Sequence, residues 1–415
     1  MKLTAHPGAP LRGDIAVPGD KSISHRALIL GAMAEGETRI SGLLESDDVM
    51  RTVEAVRALG AEVDRDGDVW RVRGGAWRSP PAPIDCGNSG TTARLLMGAV
   101  AGRPVCATFV GDASLSRRPM RRVIEPLREM GARIEGGDTL PITVHGGRLR
   151  GIRYVSPVAS AQVKSAILLA GLGADQPVDV SESHLSRDHS ERMLPLFLGE
   201  NGELRGTEIE VPGDPSSAAF PIVAALLATG SEVRVRDVCI NPTRIGLIEC
   251  LREMGGAIEL ASPRQLGGEP VADIIVRFSH LRAIEVPADR APAMIDEYPL
   301  LGVAAAFADG ETVMHGLGEL RHKESDRLAA ISAGLEACGV NAEVAGDNLR
   351  IRGGSVRGGA QVASHGDHRI AMAFLVLGLA SAAPVSVDGA EMIATSFPGF
   401  ADLMRGLGAR IQDGA

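Results

Sequence analysis

The feature of this sequence that most restricts its fold is an internal repeat. Two segments open with the same letters: VPGDKSISHRALILGAMAEGETRISGL from Val17 and VPGDPSSAAFPIVAALLATGSEVRVRDV from Val211. At shorter range, REMGARIE from Arg128 recurs as RALGAEVD, REMGGAIE, EACGVNAEV and RGLGARIQ, with FLGENGELRG as a weaker sixth copy. Such self-similarity is typical of a chain that repeats one supersecondary unit. We therefore predict two halves of three units each.

Each predicted unit has the same order of patterns. An Ala-rich apolar helix such as FPIVAALLATG comes first, and a β-type stretch follows it. A second, amphipathic helix then ends at Gly, and a short hairpin with Gly-rich turns such as VDRDGDVWRVRGG completes the unit. These patterns predict an α/β fold of six βαβαββ-like repeats. The first helices should be buried inside each half, and the second helices should lie outside.

The length of 415 residues exceeds what one hydrophobic core of ordinary size supports, so it agrees with two domains. We predict a domain I of residues 1–19 plus 214–415, in which the N-terminal strand joins the C-terminal half, and a domain II of residues 20–213. The two Val-Pro-Gly-Asp turns predict hinges near Gly19 and Gly213.

The formal net charge of −9 argues against general binding to nucleic acid or to an anionic membrane, because each phosphate contact would act against the overall field. Any site for an anionic substrate must therefore be local. The start of the chain lacks a signal-peptide pattern, and the longest apolar run, AMAFLVLGLASAAP, is too short to cross a bilayer. These features predict a cytoplasmic protein.

The cysteines indicate no metal site. They are scattered without a C-x-x-C pair or a histidine at ligand spacing, so we interpret all five as buried thiols and expect no metal. These cysteines are Cys86, Cys106, Cys239, Cys250 and Cys338.

Polar residues collect where the predicted helices begin, and there the free backbone N–H groups and the helix dipole favour an anion. Ser186, Ser216, Ser217 and Thr243 have the residue types of ordinary N-caps, and we interpret them as caps. A cation at a helix N-terminus opposes the dipole, so its repeated occurrence predicts an anionic ligand. The cations at these positions are Lys21, Arg26, Arg118, Arg187 and Arg369.

The segment 323–327 is predicted to form one helical turn. Lys323 and Arg327 would then be four residues apart, with Glu324 three residues before Arg327, so two cations and a carboxylate would share one edge. The residues alone allow a solvated face with intrahelical ion pairs. They equally allow a part of the same anion site as Lys21 and Arg118.

Over essentially its full length the chain resembles the enolpyruvyl transferase family and, within it, the EPSP synthases. The resemblance rests on GDKSISHRAL, DCGNSGTTARLL, GDASLSRRPM, SAQVKS, SRDHSERML, MIDEYPL, LRHKESDRLAA and GDHRIAM, in this order. It implies a two-domain inside-out α/β barrel of six repeats, three per domain. It also implies a transferase without a metal or other cofactor, which moves the enolpyruvyl group of phosphoenolpyruvate to the 5-hydroxyl of shikimate 3-phosphate and releases phosphate.

The resemblance also implies which residues bind the two substrates. Contacts to shikimate 3-phosphate are implied for Ser22, Arg26, Ser160, Ala161, Gln162, Arg187, Asp296 and Lys323. Contacts to phosphoenolpyruvate are implied for Lys21, Gly90, Arg118, Gln162, Arg327 and Arg369. Guanidinium groups suit these roles because their paired N–H donors match carboxylate and phosphate oxygens. Asp296 is the candidate base for the 5-hydroxyl, and Glu324, assisted by Lys21, is the candidate for proton transfer at the methylene carbon of phosphoenolpyruvate.

Two positions depart from the pattern of the family. MIATSFPGF has Thr395 where some members have a lysine, so that contact to phosphoenolpyruvate is missing or replaced. SAQVKS has Ala161 where other members have a second serine, as in the branch that includes herbicide-tolerant enzymes. Gly90 leaves open the space that alanine fills in tolerant members, and this predicts inhibition by glyphosate.

Two rival functions are weaker on the residues. The UDP-N-acetylglucosamine enolpyruvyl transferases share the fold and the donor, but here Ser22 follows Lys21 in place of Asn and the loop around GDASLSRRPM has no cysteine. A non-catalytic protein that binds phosphorylated metabolites would explain the cations. It would not explain Asp296 and Glu324, because carboxylates weaken anion binding unless they transfer protons. We expect a monomer that assembles its site from both halves when the substrates bind.

Overall fold

The computed structural model describes residues 1–157 and 159–414, which divide into two compact units. Unit 1 comprises Met1–Pro18, Pro212–Gln265 and Pro270–Ala415, and unit 2 comprises Gly19–Val211 and Leu266–Glu269. Each unit contains its own cluster of buried apolar side chains. In the described part of the chain, no helix is long and apolar enough to cross a membrane.

The α-helices and β-strands alternate along the chain. The helices are α1 (Lys21–Met33), α2 (Asp47–Ala58), α3 (Gly90–Ala101), α4 (Arg121–Glu129), α5 (Ala161–Gly171), α6 (His189–Phe197), α7 (Pro215–Leu227), α8 (Gly246–Glu253), α9 (Tyr298–Ala306), α10 (Arg327–Ala337), α11 (His368–Ala380) and α12 (Phe400–Gly406). The strands are β1 (Lys2–His6), β2 (Arg12–Ala16), β3 (Gly36–Ser41), β4 (Glu62–Asp66), β5 (Val69–Gly74), β6 (Ile84–Asp85), β7 (Cys106–Val110), β8 (Arg133–Gly136), β9 (Ile142–His145), β10 (Arg153–Ser156), β11 (Asp179–Glu182), β12 (Glu208–Glu210), β13 (Glu232–Cys239), β14 (Ala257–Leu266), β15 (Glu269–Arg277), β16 (Glu285–Val286), β17 (Glu311–Met314), β18 (Asn341–Ala345), β19 (Asn348–Arg352), β20 (Gln361–Val362), β21 (Val385–Val387) and β22 (Arg410–Gly414).

The strands of the described residues form five four-stranded sheets and one two-stranded sheet. The four-stranded sheets have the orders β12-β3-β5-β4, β6-β7-β9-β8, β14-β15-β13-β2, β16-β17-β19-β18 and β20-β21-β1-β22. Each of them contains one parallel pair, such as β6 with β7, next to an antiparallel pair, such as β7 with β9. The repeated sheet confirms the mixed α/β class. The barrel arrangement of the repeats stays a prediction.

The sixth sheet contains only β10 and β11, which are parallel. It belongs to the repeat that ends in FLGENGELRG, the weakest sequence copy. Four of the other repeats have a hairpin here, such as β8 with β9, and in the last repeat β22 pairs with β1. This repeat has an isolated antiparallel bridge between Leu198 and Leu204. The weaker sequence similarity therefore coincides with a reduced structure.

The first helix of each repeat is buried nearly all round, as predicted. All thirteen residues of α7 are buried, whereas the second helix α2 buries five of its twelve. Small residues allow this close packing. A Cβ added to Gly98 on α3 would lie 2.1 Å from the carbonyl oxygen of Ala166 on α5, so only glycine permits the approach of these two helices.

The first strand of the chain belongs to a sheet of unit 1. β1 is antiparallel to both β21 and β22, and Leu3 pairs with Val387 on one side and with Asp413 on the other. β2 runs parallel to β13. The chain then enters unit 2 after Pro18 and returns to unit 1 at Pro212.

Candidate active site

In unit 2, the predicted polar residues surround the starts of the three buried helices α1, α3 and α5. These helices begin at Lys21, Gly90 and Ala161, which confirms the predicted helix starts. The carboxylate of Asp20 accepts a hydrogen bond from the backbone N–H of Ile23 at 2.9 Å, so it caps α1. The Nζ atom of Lys21 lies 3.0 Å from an oxygen of Asp48, which offsets its unfavourable position at the helix start.

Arg26 is the most deeply buried of the predicted cations in unit 2. Its guanidinium donates to the hydroxyls of Ser190 at 2.8 Å and Ser165 at 2.6 Å and to the carbonyl oxygen of Ser22 at 2.9 Å. Burial lowers the pKa of Arg26 to about 10, and the nearby charge of Arg187 contributes to this effect. The group is still cationic at neutral pH. Its three hydrogen-bond acceptors are neutral oxygen atoms, and nearby carboxylates, among them Asp20 and Glu191, act on it by their charge alone. Its N–H groups are therefore not committed to a carboxylate and can serve an anion.

Two guanidinium groups stand beside the start of α3. Arg118 donates to the side-chain oxygen of Asn88 at 2.9 Å, and Arg94 donates to the side-chain oxygen of Gln162 at 2.5 Å. A Cβ added to Gly90 would lie 3.0 Å from Nη1 of Arg94 and 3.5 Å from Nη1 of Arg118. The structure therefore brings the predicted residues Gly90, Arg118 and Gln162 together, and it adds Arg94, which the sequence prediction missed.

A second group that the prediction missed positions Ser160. Glu182, at the end of β11, accepts hydrogen bonds from the backbone N–H of Ser160 at 3.1 Å and from the hydroxyl of Ser186 at 2.7 Å. Lys164 lies 2.9 Å from Glu182 and 2.9 Å from Glu191. Burial opposes ionisation of both Glu182 and Lys164, but their contact outweighs it: the pKa of Glu182 is lowered and that of Lys164 is raised. This buried ion cluster fixes Ser160 and the residue that precedes Arg187.

In unit 1, one fully buried arginine gathers three carboxylates. Arg327 donates to Asp367 at 2.8 Å, to Asp296 at 3.1 Å and to Glu324 at 2.6 Å. Burial alone would lower the pKa of Arg327, but the three carboxylates raise it above its usual value. Burial alone would likewise raise the pKa of Asp367, and the charge of Arg327 reverses that effect and lowers it. Asp296 and Glu324, the two candidate proton carriers, are thus held by one cation.

The prediction that residues 323–327 form one helical turn is wrong. The helix α10 begins at Arg327, and the carboxylate of Asp326 accepts a hydrogen bond from the N–H of Ala329 at 3.0 Å. Because Asp326 caps the helix, the residues before it lie outside the helix. Glu324 still reaches Arg327, and Nζ of Lys323 lies 3.7 Å from Asp296.

Arg369, on the first turn of α11, is held by one backbone carbonyl and one carboxylate of unit 1. Its Nη1 donates to the backbone carbonyl of Asp296 at 3.3 Å and lies 3.5 Å from the buried carboxylate of Glu297. Glu297 in turn accepts a short hydrogen bond from Ser216 on α7. The carbonyl contact joins Arg369 to the segment that carries the candidate base.

The four residues interpreted as ordinary N-caps do not occupy the cap positions of these helices. Asp214 caps α7, Asp188 is the residue before α6, and Ile245 is the residue before α8. The hydroxyl of Thr243 donates to the side chain of Asn241 at 2.9 Å. Ser186 donates to Glu182 and Ser216 to Glu297, while Ser217 lies inside α7. The cap interpretation was therefore wrong, because none of the four is the residue directly before one of these helices and two of the hydroxyls donate to carboxylates instead.

Thr395, which stands where some relatives have a lysine, lies in unit 1. Its hydroxyl donates to the carbonyl oxygen of Met392 at 2.7 Å and lies 3.3 Å from Nδ1 of His368. His368 is the residue before Arg369 at the start of α11. Thr395 therefore contacts the residue next to Arg369 in the chain, although it carries no charge.

The fold matches solved structures over nearly its whole length. The enolpyruvyl transferase NikO from Streptomyces tendae aligns with a TM-score of 0.77 over 99% of this chain and 98% of its own, and its 19% identity shows a shared fold alone. An EPSP synthase from Acinetobacter baumannii aligns with a TM-score of 0.88 at 42% identity, over 99% of both chains. The fold is thus that of the enolpyruvyl transferases.

Sequence comparison narrows this class. The sequence profile described as EPSP synthase (3-phosphoshikimate 1-carboxyvinyltransferase) matches residues 5–404. The 3-phosphoshikimate 1-carboxyvinyltransferase of Methylorubrum populi is 56% identical over 100% of this chain and 98% of its own length. That of Parvibaculum lavamentivorans is 57% identical over 98% of this chain and 96% of its own. The chain belongs to the EPSP synthase family of transferases.

Proposed function

We propose that this chain transfers the enolpyruvyl group of phosphoenolpyruvate to the 5-hydroxyl of shikimate 3-phosphate, giving 5-enolpyruvylshikimate 3-phosphate and phosphate. The observation that carries this proposal is the family match over residues 5–404. The two clusters described above supply groups that the reaction needs. One cluster offers cations for two phosphorylated and carboxylated substrates, and the other offers carboxylates for proton transfer.

The cations of unit 2 would bind the anionic groups. Arg26 with Ser22, Ser160, Gln162 and Arg187 suits shikimate 3-phosphate, because hydroxyl, amide and guanidinium donors can share its oxygens. Lys21, Gly90 and Arg118 suit phosphoenolpyruvate. Gly90 contributes space, since a Cβ there would approach Arg94. Ala161 begins α5 and exposes backbone N–H groups of its first turn.

The carboxylates of unit 1 would move the protons. Asp296 takes the proton of the 5-hydroxyl while that oxygen attacks the central carbon of phosphoenolpyruvate, and Glu324 delivers a proton to the methylene carbon. The tetrahedral intermediate then loses phosphate, which leaves with the electron pair of its C–O bond. Glu324 takes back a proton from the methyl carbon, which restores the double bond, and Asp296 returns its proton to the departing phosphate. Arg327 and Arg369 would offset the negative charge of the donor, and Lys323 that of the acceptor.

The same proposal includes two domains joined by hinges near Gly19 and Gly213. It is supported by two of the chain crossings, which fall between Pro18 and Gly19 and between Val211 and Pro212; the other two bound the short segment Leu266–Glu269. A cytoplasmic location, a monomeric state and the absence of nucleic acid or membrane partners also belong to this proposal. Sedimentation of the purified chain with and without substrates would test the oligomeric state.

The decisive experiment measures phosphate release from phosphoenolpyruvate with each of two acceptors. We expect release with shikimate 3-phosphate and none above background with UDP-N-acetylglucosamine. Release with the nucleotide sugar alone would overturn the choice of acceptor. Tight binding of both proposed substrates without phosphate release, in a correctly folded preparation, would favour a non-catalytic binding protein.

A further inference from the structure

One cysteine differs from the other four in its surroundings. Cys86, Cys239, Cys250 and Cys338 are buried, and burial raises the pKa of Cys86 to about 12 and that of Cys338 to about 11. Cys106, the first residue of β7, is half-buried. The interpretation of all five as buried thiols is therefore wrong for Cys106. Side chains alternate along a strand, and the core side of β7 is taken by the next residue, Ala107.

Three neighbouring strands of unit 2 place a histidine and a carboxylate beside this thiol. Cys106 on β7 lies directly opposite His145 on β9, and their Sγ and Nδ1 atoms are 3.4 Å apart. Nε2 of His145 lies 3.1 Å from an oxygen of Glu135 on β8, which is an ion-pair distance without the alignment of a hydrogen bond. Cys106 and His145 are 39 residues apart in the chain, so no spacing rule could have found this group.

The order thiol, imidazole, carboxylate is that of an activated nucleophile. A thiol becomes nucleophilic when it loses its proton, and a histidine in contact with it can accept that proton. The pKa of Glu135 is lowered first by its hydrogen bond with Arg133 and then by the charge of His145. Glu135 therefore stays ionised and can stabilise an imidazolium, although it shares its charge with Arg133. None of these residues belongs to the substrate contacts proposed above.

We propose that Cys106, His145 and Glu135 form a reactive-thiol site that exchanges with small disulfides. His145 takes the thiol proton, and the sulfur of Cys106 bonds to one sulfur of the disulfide as the S–S bond breaks. The second sulfur leaves with the bonding electron pair and takes the proton from the imidazolium. The small disulfide is the only oxidant needed. The product is a mixed disulfide on the outward side of β7, and excess thiol reverses the reaction.

The test is the rate of reaction of the native full-length chain with 5,5′-dithiobis(2-nitrobenzoic acid) at neutral pH. We expect one fast-reacting thiol per chain, and Cys106→Ser should remove the fast phase without loss of enolpyruvyl transfer. His145→Ala should slow the fast phase by about tenfold or more, because the adjacent base is lost. Glu135→Gln should slow it by a smaller factor, about threefold.

The sign of the His145→Ala effect separates activation from mere exposure. Removal of the imidazole uncovers the sulfur, so a thiol that reacts only because it is accessible would react faster in this variant. His315→Ala is the matched control, since His315 is also paired with a carboxylate, Glu285 at 2.8 Å, and should leave the rate unchanged. A fast phase that persists in Cys106→Ser, or a His145→Ala variant as fast as the parent, would overturn the proposal.

Discussion

The two units hold their buried arginines in opposite ways. In unit 2, Arg26 donates to two hydroxyls and one carbonyl, whereas in unit 1, Arg327 donates to three carboxylates. A guanidinium among neutral oxygens can share its charge with a bound anion. Carboxylates around a guanidinium are oriented by its hydrogen bonds, as groups that give or accept protons must be. The difference agrees with the proposal that Arg26 binds an anionic group and that Asp296 and Glu324 transfer protons.

The largest effect should come from neutralising the carboxylates in unit 1. Asp296→Asn and Glu324→Gln should each lower kcat about a thousandfold, or about 4 kcal/mol, because a positioned acid or base is lost. Substrate binding, measured by calorimetry, should change little. Asp402→Asn, which alters an exposed carboxylate of α12, is the control. Normal turnover in either variant would remove that residue from the proton path.

The next effect concerns the ion cluster of unit 2. Lys164→Met leaves Glu182 and Glu191 without their shared cation, and removing one partner of a buried pair costs about 3 kcal/mol. We expect a lower thermal unfolding temperature and a raised KM for shikimate 3-phosphate, since Ser160 is held by Glu182. The double variant with Glu182→Gln should recover part of the stability. Equal stability of Lys164→Met and the surface variant Lys2→Met would contradict this role.

A smaller effect should follow from removing one anion-binding cation. Arg118→Gln should raise the KM for phosphoenolpyruvate about thirtyfold, or about 2 kcal/mol, because a charge-assisted contact is lost. The adjacent Arg117 is exposed and provides the matched control, Arg117→Gln. Steady-state kinetics with phosphoenolpyruvate as the varied substrate distinguish the two. Similar KM values for both variants would break the assignment of Arg118 to binding.

Inhibition by glyphosate gives a steric test of the residues around the start of α3. The methyl group of Gly90→Ala would lie 3.0 Å from a guanidinium nitrogen of Arg94, so that side chain or the ligand must shift. We expect the inhibition constant of glyphosate to rise about tenfold, or about 1.4 kcal/mol, and more than the KM for phosphoenolpyruvate. Gly137→Ala, where a Cβ would have open space, is the control. Unchanged sensitivity of Gly90→Ala would contradict the steric argument.

The smallest effect should come from a carboxylate that is paired with arginines but lies outside the candidate site. Asp273 is 2.9 Å from Arg264, and although burial would raise its pKa, Arg234 and Arg264 lower it to about 2. A lowered folded-state pKa stabilises the fold above the unfolded-state value near 4, and this stabilisation is lost as pH falls through about 2.

Asp273→Asn should therefore reduce stability by about 1 kcal/mol at neutral pH, a figure that allows for screening of the partly exposed arginines. The difference from the parent should shrink between pH 4 and pH 2 in thermal unfolding. Turnover at neutral pH should not change. A loss of turnover would show that ion pairs alone do not distinguish the catalytic carboxylates.

Local features of this molecule could be predicted from the sequence, and long-range side-chain contacts could not. Apolar periodicity predicted the buried first helices, because burial all round requires apolar residues all round. The meeting of Arg327 with Asp367 could not be predicted, since they are 40 residues apart and belong to different repeats. No sequence pattern marked Glu182 as a site residue, because it ends β11 whereas its partners Ser160 and Lys164 lie at the start of and on α5.

The prediction of a helical turn at 323–327 was wrong for a related reason: the sequence pattern did not show which residue caps α10. The sequence pattern allowed a helical turn, and it was the cap formed by Asp326 that set the start of α10 at Arg327. Arg94 could have been found, because it lies one helical turn after Gly90 on α3. Most residues of the candidate site could be predicted from the family resemblance. The contacts that these residues make are visible only in the structure.

The position of β1 has a consequence for the order in which the sheets can form during synthesis on the ribosome. Leu3 is made long before its pairing partners Val387 and Asp413. The sheets β12-β3-β5-β4 and β6-β7-β9-β8 have all their strands much earlier. We expect these two sheets to acquire protease resistance during synthesis, whereas β1 remains without its partners until β21 and β22 have been made.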